Sequence, residues 1–311
     1  MRKFIFTLSV FSFAFSSFAQ EGASNKKNDR WKLGALFTVT AGQGGSRNWT
    51  PGAERFSFLG SARMNLYAKF KDGKHSWESL ADLAYGMVNT TSLGIRKSQD
   101  KIDVVSKYGY SVHSKVDIGA WFNVRTQFSD GFDYSESPKR RISGVMAPGY
   151  ITLAAGFDCK PFTDNFSIFV SPVMARLVVV TNRPYSFSYQ GGVKPDGTPE
   201  TTLASRYGVD PVRKVDGQVG AMVSVGYHKK DLVKNVDIRS RADVFSNYLN
   251  NAQNFDVFLN NLVIMRVNNW LQVNYGFDVI YDDDQRQFGP LKNKPATQLH
   301  TMLGVGVAAK L

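Results

Sequence analysis

The chain has 311 residues, with 38 Lys or Arg against 26 Asp or Glu and a formal net charge of +12. A content of 43% hydrophobic and 13% aromatic residues excludes a disordered chain, and a mean hydropathy of −0.25 excludes a bundle of membrane helices. The single cysteine, Cys159, excludes an intrachain disulfide framework and any multi-cysteine metal site.

The first residues read as an address. Arg2 and Lys3 form a basic start, Phe4 to Phe18 is an apolar run rich in Phe, and Ser17 and Ala19 offer the small residues that a signal peptidase reads. Residues 1–19 are therefore expected to be a signal peptide, 20–30 a polar periplasmic tail and 31–311 the folded body. An exported chain without an aromatic-basic platform is expected to have no nucleic-acid partner, despite its charge.

No later segment has about 18 consecutive apolar residues, so a membrane-bound body must use strands, whose mark is alternation. Alternation begins at once: Trp31, Leu33, Ala35, Phe37 and Val39 share one parity, and Lys32, Gly34, Thr38 and Thr40 the other. In the next segment Phe56, Phe58, Ala62, Met64, Leu66, Ala68 and Phe70 oppose Arg63, Asn65, Tyr67 and Lys69. The pattern recurs from Val116 to Phe128, Val219 to Tyr227, Val236 to Val244 and Leu271 to Tyr281, and the last segment, Leu299 to Leu311, alternates to the final residue. Segments of about 15 residues with charge on one face are too long for a sandwich, whose strands run about 5 to 6 residues. They suit tilted strands that cross a bilayer. The polar parity then faces a lumen, and its charged members, Arg63, Asp117, Arg125, Asp237, Arg239, Arg241, Asp243 and Asp278, are the candidate lumen-lining residues.

The connections give an independent test, because outer-membrane barrels alternate short periplasmic turns with longer external loops. Short turns are expected at 71–75, 113–115, 160–165, 228–235 and 268–269, and long loops at 42–54, 89–101, 129–141, 182–215, 247–254 and 282–297. That alternation predicts an all-β, transmembrane, antiparallel up-and-down β-barrel of about twelve strands. Trp31, Phe70, Trp77, Phe157, Phe166, Tyr227 and Trp270 fall at one set of strand ends and Phe56, Phe128 and Tyr281 at the other, as aromatic girdles do.

A series of short motifs also carries a resemblance. Ser46-Arg-Asn-Trp-Thr-Pro-Gly52, Trp77-Glu-Ser-Leu-Ala-Asp-Leu-Ala-Tyr-Gly86, Lys97-Ser-Gln-Asp100, Ser106-Lys-Tyr-Gly-Tyr110, Arg125-Thr-Gln-Phe128, Met146-Ala-Pro-Gly149, Ser171-Pro172, Tyr207-Gly208 and Ile280-Tyr-Asp-Asp-Asp284 occur in this order. Together they resemble an uncharacterised domain-of-unknown-function family of Gram-negative outer-membrane β-barrels. The resemblance implies an outer-membrane barrel and carries over no catalytic residue. Leu311 departs from the terminal aromatic that such barrels usually carry.

Few residues suggest chemistry. His75, His113 and His228 fall in expected turns and His300 on an inner face; none has the spacing of a zinc site. Asp282, Asp283 and Asp284 could offer hard oxygen ligands to Ca²⁺, but as a solvated loop base they need no ion. Lys139, Arg140 and Arg141 form a basic run in an external loop, either solvated or set against lipopolysaccharide phosphates. No catalytic residue, cofactor or metal is expected. The leading functional expectation is a non-enzymatic, narrow passive channel for small polar or anionic solutes. Behind it stand a structural or assembly component docking other outer-membrane proteins, and a lipid hydrolase using His300. Outer-membrane lipid and lipopolysaccharide are the expected surroundings.

Overall fold

The structure is a computed structural model that describes residues 30–45, 56–134, 139–163, 165–181, 197, 202–210, 212–286, 288–289 and 294–310. The expected signal peptide, the tail up to residue 29, the motif at 46–52 and Leu311 lie outside the described residues.

Among the described residues, alternation becomes strand. The elements are β1 (Trp31–Gly45), β2 (Phe56–Asp72), β3 (His75–Thr90), β4 (Gly94–His113), β5 (Val116–Thr126), β6 (Gly131–Asp133), β7 (Arg140–Ser143), β8 (Gly149–Cys159), β9 (Phe166–Val179), α1 (Leu203–Arg206), β10 (Val215–Val233), β11 (Val236–Asn247), β12 (Asp256–Arg266), β13 (Leu271–Tyr281) and β14 (Gln298–Lys310). Twelve strands close into one ring in the order β1-β14-β13-β12-β11-β10-β9-β8-β5-β4-β3-β2, while β6 and β7 form a separate hairpin between β5 and β8. Each neighbour is antiparallel, and β1 meets β14 with Leu36 opposite Lys310 and Thr40 opposite Gly306. Closure leaves no edge strand within the ring.

Parity decides the faces. Leu33, Val173, Leu299 and Leu303 point outward and are 69, 63, 62 and 65% exposed. Such large side chains cannot face water in a continuous belt, so the belt faces lipid. Trp31, Trp77, Phe157 and Trp270 are exposed at the end that carries the short turns, and Phe56 and Phe128 at the opposite end. The fold is a transmembrane barrel with aromatic residues at both rims.

Two expected connections are corrected. The segment 89–101 is not a long loop: β3 runs to Thr90 and β4 starts at Gly94, with left-handed Gly94 (φ 68°) opening β4 and a three-residue link between the strands. The segment 228–235 is not all turn, since β10 continues to Val233 with an irregular register after Lys229. Polar residues at 95–101 and 228–233 read as loop in sequence, yet backbone pairing with a neighbouring strand extends regardless of side-chain polarity when one face is wet.

Strand spacing depends locally on glycine. A Cβ on Gly220 would lie 1.8 Å from the Ser246 carbonyl oxygen and 2.8 Å from the Phe245 ring. Only Gly lets β10 and β11 approach at this height, next to the inward aromatic of β11.

Candidate functional site

The inner face is not an empty bore. Val105 on β4, Trp121 on β5, Ala154 on β8, Phe169 and Met174 on β9, Met222 on β10 and Phe245 on β11 converge into a buried apolar cluster on one side of the lumen. Each belongs to the polar parity of its strand, where a water-filled channel would carry hydrophilic groups. Packing these side chains together fills that half of the waist.

The remaining waist is bridged by charge. The Arg241 guanidinium on β11 donates to Asp103 on β4 at 2.5 Å and lies 3.2 Å from Asp243. Arg125 on β5 donates to Asp243 at 3.2 Å and sits 3.7 Å from Asp103. Because β4 and β5 lie far around the ring from β11, these pairs span the lumen. Asn123 donates to the other oxygen of Asp103 at 2.7 Å, and Ser224 to Asp243 at 2.7 Å, so both carboxylates are fixed by more than one donor. Next to them Asp82 accepts two bonds from Arg63, at 2.9 and 2.6 Å, and lies 3.1 Å from Lys101, which is 3.6 Å from Asp278.

On either side of this waist lies a cavity. The one toward the turns has a volume of about 190 Å³ and is lined by Tyr67, Lys107, His228 and Arg239 among others. The one toward the loops, of about 400 Å³, is lined by Lys101, Arg125, Asp278 and His300 among others. Asp103 and Asn260 border both, so the two chambers meet at the ion-paired waist.

The eight charged residues expected on the inner face are distributed as follows. Arg63, Arg239 and Arg241 border the turn-side chamber, Arg125 and Asp278 the loop-side chamber, and Asp243 lies between them. Asp117 and Asp237 border neither chamber. Asp117 is 3.4 Å from Lys160, and Asp237 binds Arg266 and accepts the Asp231 N–H at 2.8 Å. Asp103 and Lys101 belong to the same network and sit on β4, which starts inside the expected long loop 89–101; that loop took in Lys101, and Asp103, just beyond it, was not among the expected inner residues. Arg176 was equally hidden: the bulge near Pro172 interrupts the parity of β9. Its guanidinium binds Asp256, donates to Gln218 at 2.6 Å and lies 4.3 Å from the centre of the Phe245 ring.

The loop end is partly covered. Leu203 and Ala204 of the short helix α1, with Val180 and Val209, are buried against Ala147, Tyr150 and Val178, and the Tyr207 hydroxyl donates to the Ile142 carbonyl at 2.7 Å. Burial pushes the Tyr207 phenol up to about 12. Of the basic run, Lys139 lies 4.7 Å over the Phe132 ring and Arg141 is 1% exposed, bound to Asp130 at 2.9 Å.

Asp282, Asp283 and Asp284 do not converge on one point. Asp282 accepts from Gln285 at 3.2 Å, Asp283 from Asn254 at 2.7 Å and Asp284 from Gln218 at 3.0 Å. Among the described residues no group of three or more His, Cys, Asp or Glu side chains could hold a metal ion. His300 Nδ1 is 4.0 Å from Asp278, and no serine bonds to it among the described residues.

No curated protein matches the chain significantly. Among solved structures it is similar to an outer-membrane channel from Pseudomonas putida F1 at 10% identity and TM-score 0.37, covering 91% of this chain and 96% of that one. It is also similar to the outer membrane phospholipase A of Escherichia coli at 10% identity and TM-score 0.32, covering 93% of this chain and 94% of that one. Residues 41–132, from the end of β1 to the first residues of the hairpin, match the model of a family described as a protein of unknown function, DUF3078; over that stretch, this outer-membrane β-barrel is similar to a family of unknown function, as its ordered motifs imply.

Proposed function

We propose that the barrel is a non-enzymatic, narrow passage for small polar solutes, anions before cations, held closed at its waist by ion pairs. The observation that carries this reading is the meeting of two polar chambers at Asp103 and Asn260, where the Arg241 and Asp103 side chains span the lumen. A solute leaving one chamber reaches the other by displacing a few charged side chains, not a folded domain. The anion preference rests on the turn-side chamber, whose lining has six Lys or Arg against three Asp or Glu.

A second reading, a structural or docking component of the outer membrane, is favoured by the apolar cluster around Trp121 and Phe169, which gives half the waist the character of a protein core. Planar-bilayer recording separates the two. The passage predicts small, infrequent anion-selective events, and larger ones when Asp103→Ser and Arg241→Ser are combined. A folded barrel silent in both forms would put the docking role first.

A further inference from the structure

The turn-side chamber has one cation without a direct carboxylate partner. Arg63, Lys69, Lys107, Lys160 and Arg241 each have a carboxylate partner, respectively Asp82 at 2.6 Å, Glu78 at 2.5 Å, Asp158 at 2.8 Å, Asp117 at 3.4 Å and Asp103 at 2.5 Å. Arg239, on the same wall, makes no hydrogen bond or ion pair with any described residue, and its Nε is buried without a partner. The nearby carboxylates are committed. Asp237, two residues earlier on the same face, is held by Arg266 and by the Asp231 N–H. Asp82 is shared between Arg63 and Lys101, and Glu78 is taken by Lys69. His228, the direct partner of Arg239 across β10 and β11, also has an unpartnered buried nitrogen, Nε2.

A guanidinium partly withdrawn from bulk water with no direct counter-ion is costly, and the remedy used by its five neighbours is a carboxylate. We infer that the turn-side chamber is a binding site for a small oxyanion, phosphate or carboxylate in its chemistry, with Arg239 as the charge that holds it. The planar fork of Arg suits the two oxygens of such an anion better than a spherical halide. Lys69 and Lys107 line the same chamber but are held by Glu78 and Asp158, which leaves Arg239 as the cation to meet the ligand. At about 190 Å³ the chamber has room for a small anion and water. The site concerns occupancy and not passage, so a barrel that never conducts leaves this inference standing.

The test uses the full-length folded barrel in detergent and inorganic phosphate as the probe, with sodium chloride at matched ionic strength as the control for screening. Thermal unfolding of the unsubstituted barrel should rise with phosphate beyond the chloride control, in a saturable way. Arg239→Gln should reduce the phosphate response to that of chloride, and Arg239→Lys should leave a weaker one. Arg30→Gln, which removes an exposed pair with Asp72 at the turn end, should respond as the unsubstituted barrel does. Phosphorus NMR line broadening on the unsubstituted and Arg239→Lys barrels gives the same comparison without unfolding, should Arg239→Gln fail to fold. A phosphate response no greater than that of chloride, or one retained in full by Arg239→Gln or Arg239→Lys, would overturn the inference.

Discussion

Arg241 and Asp103, 138 residues apart in the chain, join β11 to β4 by a 2.5 Å hydrogen bond through the interior of the barrel. The pair acts as a cross-brace: backbone ladders tie each strand only to its two neighbours, and this bond ties two distant walls. Asp103→Asn leaves Arg241 and Arg125 with Asp243 as their one remaining shared counter-charge, and should destabilise the barrel by about 3–5 kcal/mol in a urea folding titration. Replacing both partners with apolar residues, Asp103→Leu with Arg241→Met, should cost less than the single change, because no buried charge is left unpaired. Equal losses would assign the stability to packing at those positions and not to the pair.

The lipid and lumen faces can be told apart on neighbouring residues of β10. Val223 points outward and is 38% exposed, whereas Ser224 is 6% exposed and donates to Asp243 at 2.7 Å. Val223→Arg should cost about 2–4 kcal/mol if it lies at mid-bilayer, while Val223→Leu should be near neutral. Ser224→Ala, which deprives Asp243 of a donor, should cost about 1 kcal/mol. Folding titrations in lipid vesicles measure all three, and an innocuous Val223→Arg would show that this face does not contact lipid.

Orientation in the membrane follows from the connections, short at one end and, apart from the three-residue link between β3 and β4, longer at the other. Lys74 is exposed in the turn between β2 and β3, and Gln253 in the loop between β11 and β12. With Cys159 replaced by Ser, Gln253→Cys should react with a membrane-impermeant thiol reagent on intact cells and Lys74→Cys should not. The reverse pattern would turn the barrel over.

The segment after β13 should respond to pH. Asp282 is 2% exposed, and burial pushes its carboxyl up to about 7; the nearby Arg176 pulls it down, and Asp256 and Asp284 add repulsion. A carboxyl raised in the folded state contributes stability while protonated, present in full below the unfolded value near 4 and lost as pH rises toward 7. Residues 282–286 should therefore exchange amide protons more slowly, relative to intrinsic rates, at pH 5 than at pH 8. Asp282→Asn should remove that difference. A difference that persists in Asp282→Asn would assign the effect to Asp284, whose carboxyl is also raised by burial.

Much of this architecture is local and therefore legible in the sequence. The side-chain period of a strand is two, so the alternation of Phe56, Met64 and Leu66 with Arg63 and Asn65 fixes which residues meet lipid without knowledge of any partner strand. Connection lengths add the count of twelve. Where the rule failed, at 89–101, polar side chains facing a wet interior imitate the composition of a loop, and the lumen-facing Lys101 was lost with it.

The sidedness of each strand can be read along the chain, whereas which inward residues meet is set by the closed ring. Sidedness is a property of consecutive residues. Contact across a lumen depends on the stagger accumulated around a closed ring, which places Arg241 against Asp103, leaves Arg239 facing a cavity, and gathers Trp121, Phe169 and Phe245 into an apolar half-plug. Parity predicts an inner face carrying charge. Closure of the ring decides whether that charge lines a channel or bars it.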